Sequence, residues 1–258
     1  MARKFTDATR VDHQMRLLVI LIPMLKSLLF PVLTFCALTQ LAFAGAPNTL
    51  TGEETAAGWK LLFDGKTPAG WHSLANAQFP ASGWDIEDGT LHHLKGDGGD
   101  IVTAAKYTNF ELIWDWKIAE AGNSGVKYNL PDSQKNIGFE YQLLDDAKHP
   151  DGIHGGALHQ TAGLYDLIPP AADKKVNPVG AWNQSRLLVD GNHIEHWING
   201  VKTVEFEIGG DTLNAAIAKS KYKNVAKFGE KSASPILLQD HGDEIHFRSI
   251  KLRELPAK

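Results

Sequence analysis

The residues best suited to chemistry lie in a strand-like stretch, Gly138–Asp146, in which acids and an amide interrupt an apolar run. Successive side chains of a strand point to opposite faces, so Glu140 and Gln142 share one face while Tyr141 and Asp145 share the other. A carboxylate that is desolvated without partners costs several kcal/mol. We therefore expect Glu140 to be paired or to line a cleft. The alternative is a glutamate on the solvated face of an antiparallel sheet.

A long loop follows this stretch, from Asp145 to about Val179, and is rich in Gly, Pro, Asp and His. Loops of this length are uncommon inside compact domains and usually serve a function. The first part of the loop holds the possible metal ligands Asp145, Asp146, His149, Asp151, His154 and His159. Such groups at short spacing suit a divalent metal ion such as Zn, Mn or Ca, although the spacing matches no familiar motif. The alternative is an ordinary solvated loop.

Aromatic and hydrogen-bonding side chains late in several strands suit the recognition of a polyhydroxylated ligand. Exposed aromatic rings can stack on sugars, and the chain has seven tryptophans. Trp182 ends the long loop, and Trp197 is out of phase with the apolar residues of its strand, so both are candidates to line a binding site. The further candidates are Asn183, Asn199, Gln239, His241 and Arg248. Each of these taken singly is more often a turn or rim residue.

The elements that must position these residues read as short strands joined by tight turns. Phe110–Ile118 alternates in phase, which predicts a long core strand. Asp-Gly or Asn-Gly pairs at 88–89, 190–191 and 199–200 are typical of hairpins. Only Thr212–Lys223 predicts a helix, short and peripheral. The other predicted strand regions are Trp59–Phe63, Trp84–His92, Val126–Leu130, Ser185–Val189, His193–Ile198, Val201–Ile208, Pro235–Gln239 and Glu244–Leu252. This pattern predicts an all-β sandwich.

The first 44 residues read as a secretory signal peptide. Leu17–Ala44 is largely apolar and ends in a small-x-small cleavage site at residues 42–44, which would leave Gly45 as the new N-terminus. Two prolines and a lysine interrupt the apolar run, so we expect no stable membrane span. A translation start at Met24 would give a more compact signal. We therefore expect a periplasmic or secreted protein whose residues 45–258 form a single domain.

The net charge bears on the kind of molecule that the protein can bind, and the cysteine content bears on disulfide bonds. Removing residues 1–44 takes away five of the 26 Lys and Arg and two of the 30 Asp and Glu, which leaves 21 against 28 and a net charge near −7. Such an acidic chain disfavours nucleic acid, whose binding depends on Lys and Arg. The only cysteine, Cys36, leaves with the signal, so we expect an exported protein without disulfides.

Seven motifs follow one another along the chain. They are Gly58–Lys66 with Gly70-Trp71, Asn123–Gly125, Gly138–Asp145, Tyr165–Ile168, Trp182-Asn183, Glu195–Gly200, and Leu238–Gly242 with Phe247-Arg248. In this combination the sequence resembles the 3-keto-disaccharide hydrolase family over essentially all of residues 45–258. One departure is Ser249, where the family usually carries Asn after Phe-Arg.

The resemblance implies a fold and an activity. The fold is a concanavalin-like, laminin-G-like jelly-roll sandwich, and the activity is hydrolysis of glycosides oxidised at C3. In such a sugar the ketone acidifies the C2 proton, so that a base can remove it, the C1 substituent can depart by elimination, and water can add back. This route needs one base, a group that stabilises the C3 oxyanion, and an acid for the leaving group. An ordinary glycosidase instead needs two carboxylates about 5 to 9.5 Å apart.

For this chemistry the resemblance leaves alternatives for each role. The base would be Glu140 or His159. The C3 oxygen would be stabilised by Arg248, Asn123 or a divalent metal ion, and Asp145 or His241 would serve the leaving group. The substrate-binding candidates are Asn123, Gln142, Trp182, Asn183, Trp197, Asn199 and Gln239. The competing hypotheses are a non-catalytic carbohydrate-binding module, which would use Trp182, Asn183 and Gln239, and an adhesion domain, which would need only the fold.

Overall fold

Two antiparallel β-sheets pack against each other in the computed structural model, which describes residues 45–132 and 136–257. The strands are β1 Lys60–Leu61, β2 Trp71–Ser73, β3 Trp84–Glu87, β4 Thr90–His93, β5 Ile101–Thr103, β6 Phe110–Ile118, β7 Asn123–Tyr128, β8 Phe139–Leu144, β9 Asn183–Asp190, β10 His193–Ile198, β11 Val201–Glu207, β12 Leu237–Leu238 and β13 Ile245–Glu254. The prediction of an all-β, jelly-roll-type sandwich is confirmed. The predicted signal peptide, its cleavage site and Cys36 lie outside the described residues.

The larger sheet has the strand order β11-β10-β9-β6-β13-β4-β3, with β1 paired to β13. Its central strand β6 spans the predicted residues, and the in-phase side chains from Phe110 to Ile118 are at most 5% exposed. Their period of two places all of them on the face that meets the other sheet. Glu111 points to the opposite face, where it pairs with Arg186 and Arg253.

The smaller sheet has the order β2-β5-β12-β7-β8, and its edge strand β8 carries most of the stretch Gly138–Asp146. Tyr141 and Leu143 of β8 point into the core and are fully buried. The alternation of the strand therefore turns Glu140 and Gln142 to the outer face of this sheet. Glu140 lies opposite Lys127 of β7 in the register of the two strands.

The core between the sheets is aromatic and is joined by hydrogen bonds. Trp114 and Tyr141, from opposite sheets, meet edge to face with ring centroids 5.0 Å apart. Trp116 Nε1 donates to Ser185 Oγ at 2.8 Å, which satisfies a polar atom that burial would otherwise leave unpaired. The Tyr128 hydroxyl lies 2.7 Å from His196 Nε2 across the two sheets. These contacts fix which side chains each sheet can present on its outer face.

The long loop runs along the edge of the smaller sheet and closes it. Ala162 N donates to Gln142 O at 2.9 Å, and Tyr165 N donates to Glu140 O at 3.0 Å. These bonds satisfy backbone groups of β8 that an edge strand would otherwise expose. The loop is also less irregular than the sequence predicted, because Pro150–Gly155 forms helix α2 and Gly156–His159 forms a 3-10 helix.

The described residues contain three short α-helices, whereas the sequence predicted one. Helix α1, Gly52–Ala56, begins with a Thr51–Glu54 capping box, and α3, Asp211–Lys219, is the predicted peripheral helix with an earlier end. Helices of five or six residues are too short to produce a periodic apolar pattern, so the sequence signal for α1 and α2 is weak. Within the described part of the chain, no helix is long and apolar enough to span a membrane.

Candidate active site

A cavity of about 360 Å³ lies on the outer face of the smaller sheet, over β7 and β8. The long loop contributes Asp151 and Tyr165 to its wall, and the segment after α3 contributes Lys221 and Tyr222. The predicted site residues that line it are Asn123, Glu140, Gln142, Gln239 and His241. They come from three separate regions of the sequence, and the register of β7, β8 and β12 brings them together.

Glu140 is the buried carboxylate of this cavity. Its side chain is 6% exposed, and its Oε2 lies 3.5 Å from Lys127 Nζ, so it is both paired and part of a cleft. Burial raises the pKa of Glu140, and the positive charges of Lys127, Lys221 and His241 oppose that rise in part. Gly125 leaves the space for this carboxylate, because a Cβ there would lie 2.6 Å from Glu140 Oε1. A carboxylate with a raised pKa in a cleft is suited to accept a proton.

Three carboxamide oxygens in the cavity wall have no hydrogen-bond partner among the described residues. They are Asn123 Oδ1, Gln142 Oε1 and Gln239 Oε1, and all three atoms are buried from solvent. An unsatisfied buried acceptor is costly, so such atoms are usually matched by a donor from a ligand or from water. Three such residues in the wall of one cavity suit a ligand with several hydroxyl groups.

His159 lies behind the cavity wall and does not itself line the cavity. Its Nδ1 is 2.7 Å from Asp151 Oδ1, while the Tyr165 hydroxyl donates to Asp151 Oδ2 at 2.9 Å. Burial raises the pKa of Asp151, but the hydrogen bonds from His159 and Tyr165 outweigh it and hold that pKa below the ordinary value. Asp151 and Tyr165 face the cavity, and His159 is placed to orient Asp151. His159 is therefore not among the residues that line the cavity of Glu140, and its role as the base stays a prediction.

Asp145 and Arg248 do not line the cavity that contains Glu140 either. Asp145 Oδ2 accepts from Ala121 N at 2.9 Å, and the residue lines a separate, mostly apolar cavity. Arg248 projects from the outer face of the larger sheet, where its Nε donates to Asp115 Oδ2 at 3.4 Å and its guanidinium lies 3.8 Å from the centre of the Trp182 ring. Arg248 and Trp182 therefore cannot touch a ligand in the cavity of the smaller sheet.

The remaining predicted sugar-binding residues hold backbone segments or lie on the larger sheet. Asn183 Oδ1 accepts from Asn177 N and from Asn199 Nδ2, both at 2.8 Å, which fastens the end of the long loop. Trp197 lies on the outer face of the larger sheet, and its Nε1 donates to Glu195 Oε2 at 2.8 Å. None of these three residues lines the cavity that contains Glu140.

Of the possible metal ligands in the long loop, His149 is the one that joins a group of three potential ligands within the described residues, with His241 and Asp243. His149 Nδ1 accepts a hydrogen bond from Asp151 N at 3.1 Å and thereby caps α2. A neutral His149 must then carry its proton on Nε2, the atom that faces Asp243 Oδ2 at 3.9 Å. That nitrogen has no free lone pair for a metal ion, so this donor set fits one poorly.

Lys127, Tyr165, Lys221 and Tyr222 also line the cavity, although the sequence analysis gave none of them a role. A signal existed for Lys127, because Asn123, Gly125 and Lys127 alternate along one face of a strand. Tyr165 begins one of the seven motifs. Lys221 and Tyr222 follow a surface helix, and only the tertiary structure brings them to the cavity; there, Lys221 Nζ lies 4.2 Å from the centre of the Tyr165 ring.

Comparison with known proteins gives one consistent result. Residues 58–253 match the sequence profile of a family described as the 3-keto-alpha-glucoside-1,2-lyase-like domain. A 3-keto-disaccharide hydrolase of Bacteroides thetaiotaomicron is 33% identical over 78% of this chain and 79% of its own. Two Parabacteroides distasonis crystal structures, both assigned provisionally to the glycosyl hydrolases, are similar. The first has a TM-score of 0.74 and is 34% identical, and the match covers 81% of this chain and 100% of that chain. The second has a TM-score of 0.60 and is 29% identical, and the match covers 76% of this chain and 99% of that chain.

Proposed function

Because this chain belongs to the 3-keto-alpha-glucoside-1,2-lyase-like family and is a carbohydrate-acting hydrolase, we propose that its substrates are glycosides or disaccharides whose C3 hydroxyl has been oxidised to a ketone. The observation that carries the proposal is the pairing of one buried carboxylate of raised pKa with three unsatisfied amide oxygens in a single cavity. The amide oxygens would accept hydrogen bonds from sugar hydroxyls. The buried carboxylate of Glu140 would supply the one base that a 3-keto sugar requires.

The proposed reaction begins with proton transfer from C2 of the sugar to Glu140. The electron pair of the C2–H bond forms a C2–C3 double bond, while the π electrons of the C3 carbonyl move to its oxygen and make it an enolate. Lys127 is the cation nearest Glu140, at 3.5 Å, and would stabilise that oxygen electrostatically. Arg248 cannot do so from the other sheet.

The second half of the reaction breaks the C1–O bond. The enolate electrons form a C1–C2 double bond, and the departing oxygen takes a proton from His241 at the mouth of the cavity. Water then adds its oxygen to C1, while a proton returns to C2, so that the two products are the free alcohol and the 3-keto sugar. Asp151 and Tyr165 would bind or orient the substrate from the long loop.

The decisive experiment is incubation of the purified protein with a 3-keto-disaccharide and with the unoxidised disaccharide. We expect free sugar from the oxidised substrate alone, because only the ketone acidifies the C2 proton. Equal cleavage of both substrates would contradict the proposal. Binding without turnover would instead favour a carbohydrate-binding module.

Turnover in heavy water separates elimination from direct hydrolysis. Elimination and rehydration place deuterium at C2 of the released 3-keto sugar, whereas displacement at C1 leaves the C2–H bond intact. Because a 3-keto sugar also exchanges this proton by spontaneous enolisation, product is sampled early and compared with enzyme-free product of the same age. Early product without deuterium would rule out the proposed route and require a second carboxylate.

We also propose that the protein is exported and begins at Gly45 after cleavage. N-terminal sequencing of the protein recovered from the periplasm or medium of an expressing bacterium tests this. Recovery in the cytoplasm with residues 17–44 retained would contradict it.

A further inference from the structure

A cluster of two histidines and a glutamate lies on the outer face of the larger sheet, outside the cavity that contains Glu140. His92 of β4 and His246 of β13 are direct partners in the strand register, and their rings stack with centroids 3.9 Å apart. Glu244 Oε1 lies 3.6 Å from His92 Nε2 and 3.5 Å from His246 Nε2. The three potential ligand atoms are all within 4.8 Å of one another.

The hydrogen bonds around the cluster determine which ring nitrogens carry protons. His92 Nδ1 lies 3.1 Å from Asp85 Oδ1, and a carboxylate can only accept, so the Nδ1 proton of His92 is donated to it. The Thr90 hydroxyl donates its own proton to Glu87 O at 2.8 Å. Thr90 Oγ1 must therefore accept from His246 Nδ1 at 3.1 Å.

In the neutral rings, both Nε2 atoms are consequently left with bare lone pairs that face the carboxylate of Glu244. His92 is 5% exposed, and its Nε2 is buried with no hydrogen-bond partner among the described residues. Three electron-pair donors that converge with no proton between them repel one another unless a cation lies among them. Histidines that bind metal ions also donate the other ring N–H to a carboxylate or another oxygen, as both of these do.

We propose that His92, His246 and Glu244 bind one divalent cation of the zinc class on the outer face of the larger sheet. Two imidazole nitrogens and a carboxylate oxygen form a donor set that Zn²⁺ accepts, with water as the fourth ligand. The parallel rings must tilt toward each other to place one ion in both planes. His246 can turn most readily, because only the Thr90 hydroxyl holds its Nδ1. The ion would join the edge hairpin of β3 and β4 to β13.

A second histidine cluster on the same sheet provides a matched control. His193 lies near Glu195 and Glu205, but the ammonium of Lys202 already contacts both carboxylates. Glu195 also accepts from Trp197 Nε1 and pairs with Arg186. Cationic side chains therefore occupy the position that a metal ion would take there.

The test is calorimetric titration of Zn²⁺ into the purified protein, prepared without a polyhistidine tag and treated first with a chelator. We expect one ion per chain and a higher unfolding temperature when zinc is present. His246→Gln should weaken binding by at least about tenfold, as expected for loss of a ligand, and His193→Gln should leave it unchanged. His246 is partly exposed, so its variant is expected to fold even if a His92 variant does not.

Two outcomes would overturn the proposal. One is the absence of saturable zinc binding to the wild-type protein, which would mean that a proton, and not a metal ion, occupies the cluster. The other is binding that survives in His246→Gln or disappears in His193→Gln. Because these residues do not line the cavity of the smaller sheet, His246→Gln is also expected to keep full activity on a 3-keto-disaccharide.

Discussion

Glu140 combines two properties that a structural residue has no reason to combine. It is almost fully buried, and the cavity beside it is open enough to hold a ligand. Burial raises the pKa of its carboxyl, so ionised Glu140 opposes folding at neutral pH. Retaining a residue at a cost in stability is typical of catalytic positions.

We expect Glu140→Gln to lower kcat by about 100-fold or more, because the amide cannot accept the C2 proton. The stability of this variant should be unchanged or higher at neutral pH. The reason is that the pKa of Glu140 is higher in the folded protein than in the unfolded chain. Protonated Glu140 therefore stabilises the fold fully below pH 4.5, and this stabilisation is lost as the pH rises through the pKa of the folded state. Turnover assays together with urea unfolding measure both effects.

The matched control is Glu111→Gln, which changes a carboxylate that is equally buried but lies on the outer face of the larger sheet with Arg186 and Arg253. It should lose stability, because it removes the ion pairs that Glu111 makes with both arginines, and keep its turnover per folded molecule. Activity of Glu140→Gln within a few-fold of wild type would show that Glu140 is not the base.

Lys127→Met should move the acidic limb of the kcat/KM profile to higher pH. The positive charge of Lys127 and its hydrogen bond to Glu140 lower the pKa of that carboxyl, so their loss allows burial to raise it further. The base is then protonated, and inactive, up to a higher pH. Lys148→Met removes an exposed ion pair with Glu120 and should leave the limb in place. A limb that shifts equally in both variants, or in neither, would contradict the coupling.

At the scale of elements, strands β7 and β8 form the floor of the site. Their outward-facing positions carry Asn123, Gly125 and Lys127 on one strand and Glu140 and Gln142 on the other. Apart from Ser124, their inward-facing positions are apolar or aromatic and anchor both strands in the core. The geometry of the site is thus as rigid as the sheet, which suits a reaction that depends on the placement of a single base.

Gly125→Ala tests this arrangement without touching a charged group. The added methyl would lie 2.6 Å from Glu140 Oε1, so the carboxylate must move while the backbone of β7 can stay in place. We expect a loss of turnover of about 10-fold or more with little change in the urea midpoint. Gly52→Ala, where a Cβ meets nothing within 4 Å, is the control and should behave as wild type. Unimpaired turnover in Gly125→Ala would indicate that the position of Glu140 is not critical.

At the scale of the whole molecule, His196 couples the stability of the two sheets to pH. It is fully buried between them beside Tyr128, and burial lowers its pKa from 6.5 to about 3. The stabilisation that the neutral ring provides is complete above pH 6.5, where the unfolded state is also neutral. It is lost as the pH falls toward about 3, because only the unfolded state takes up the proton.

We therefore expect the free energy of unfolding to fall more steeply with acid in the wild type than in His196→Gln. Between pH 7 and pH 5 the difference between the two proteins should change by about 2 kcal/mol. Urea unfolding at the two pH values measures it, and subtracting the variant removes the contribution of the carboxylates. The same pH dependence in both proteins would mean that His196 is not responsible.

The sequence by itself determined the fold class and identified Glu140 as the main candidate for a functional residue. Alternation in Phe110–Ile118 is set by the geometry of a strand, so it was readable without the structure and is confirmed. Glu140 stood out for the same reason, as an acid inside an apolar strand. The sequence analysis also selected Asn123, Gln142, Gln239 and His241, which the structure brings into one cavity with it. Their roles in catalysis and binding remain predictions.

Only the tertiary structure decided which outer face holds the cavity that contains Glu140. The alternation of side chains along a strand shows which of them face the core and which face outward. It does not show to which of the two sheets an outward-facing side chain belongs. Arg248 and Trp197 point outward as Glu140 does, yet they belong to the larger sheet and the core lies between them and the cavity. Asn183 and Asn199 fasten the long loop, a task set by contacts distant in sequence. Lys221 reaches the cavity by the same kind of contact, which no local pattern encodes.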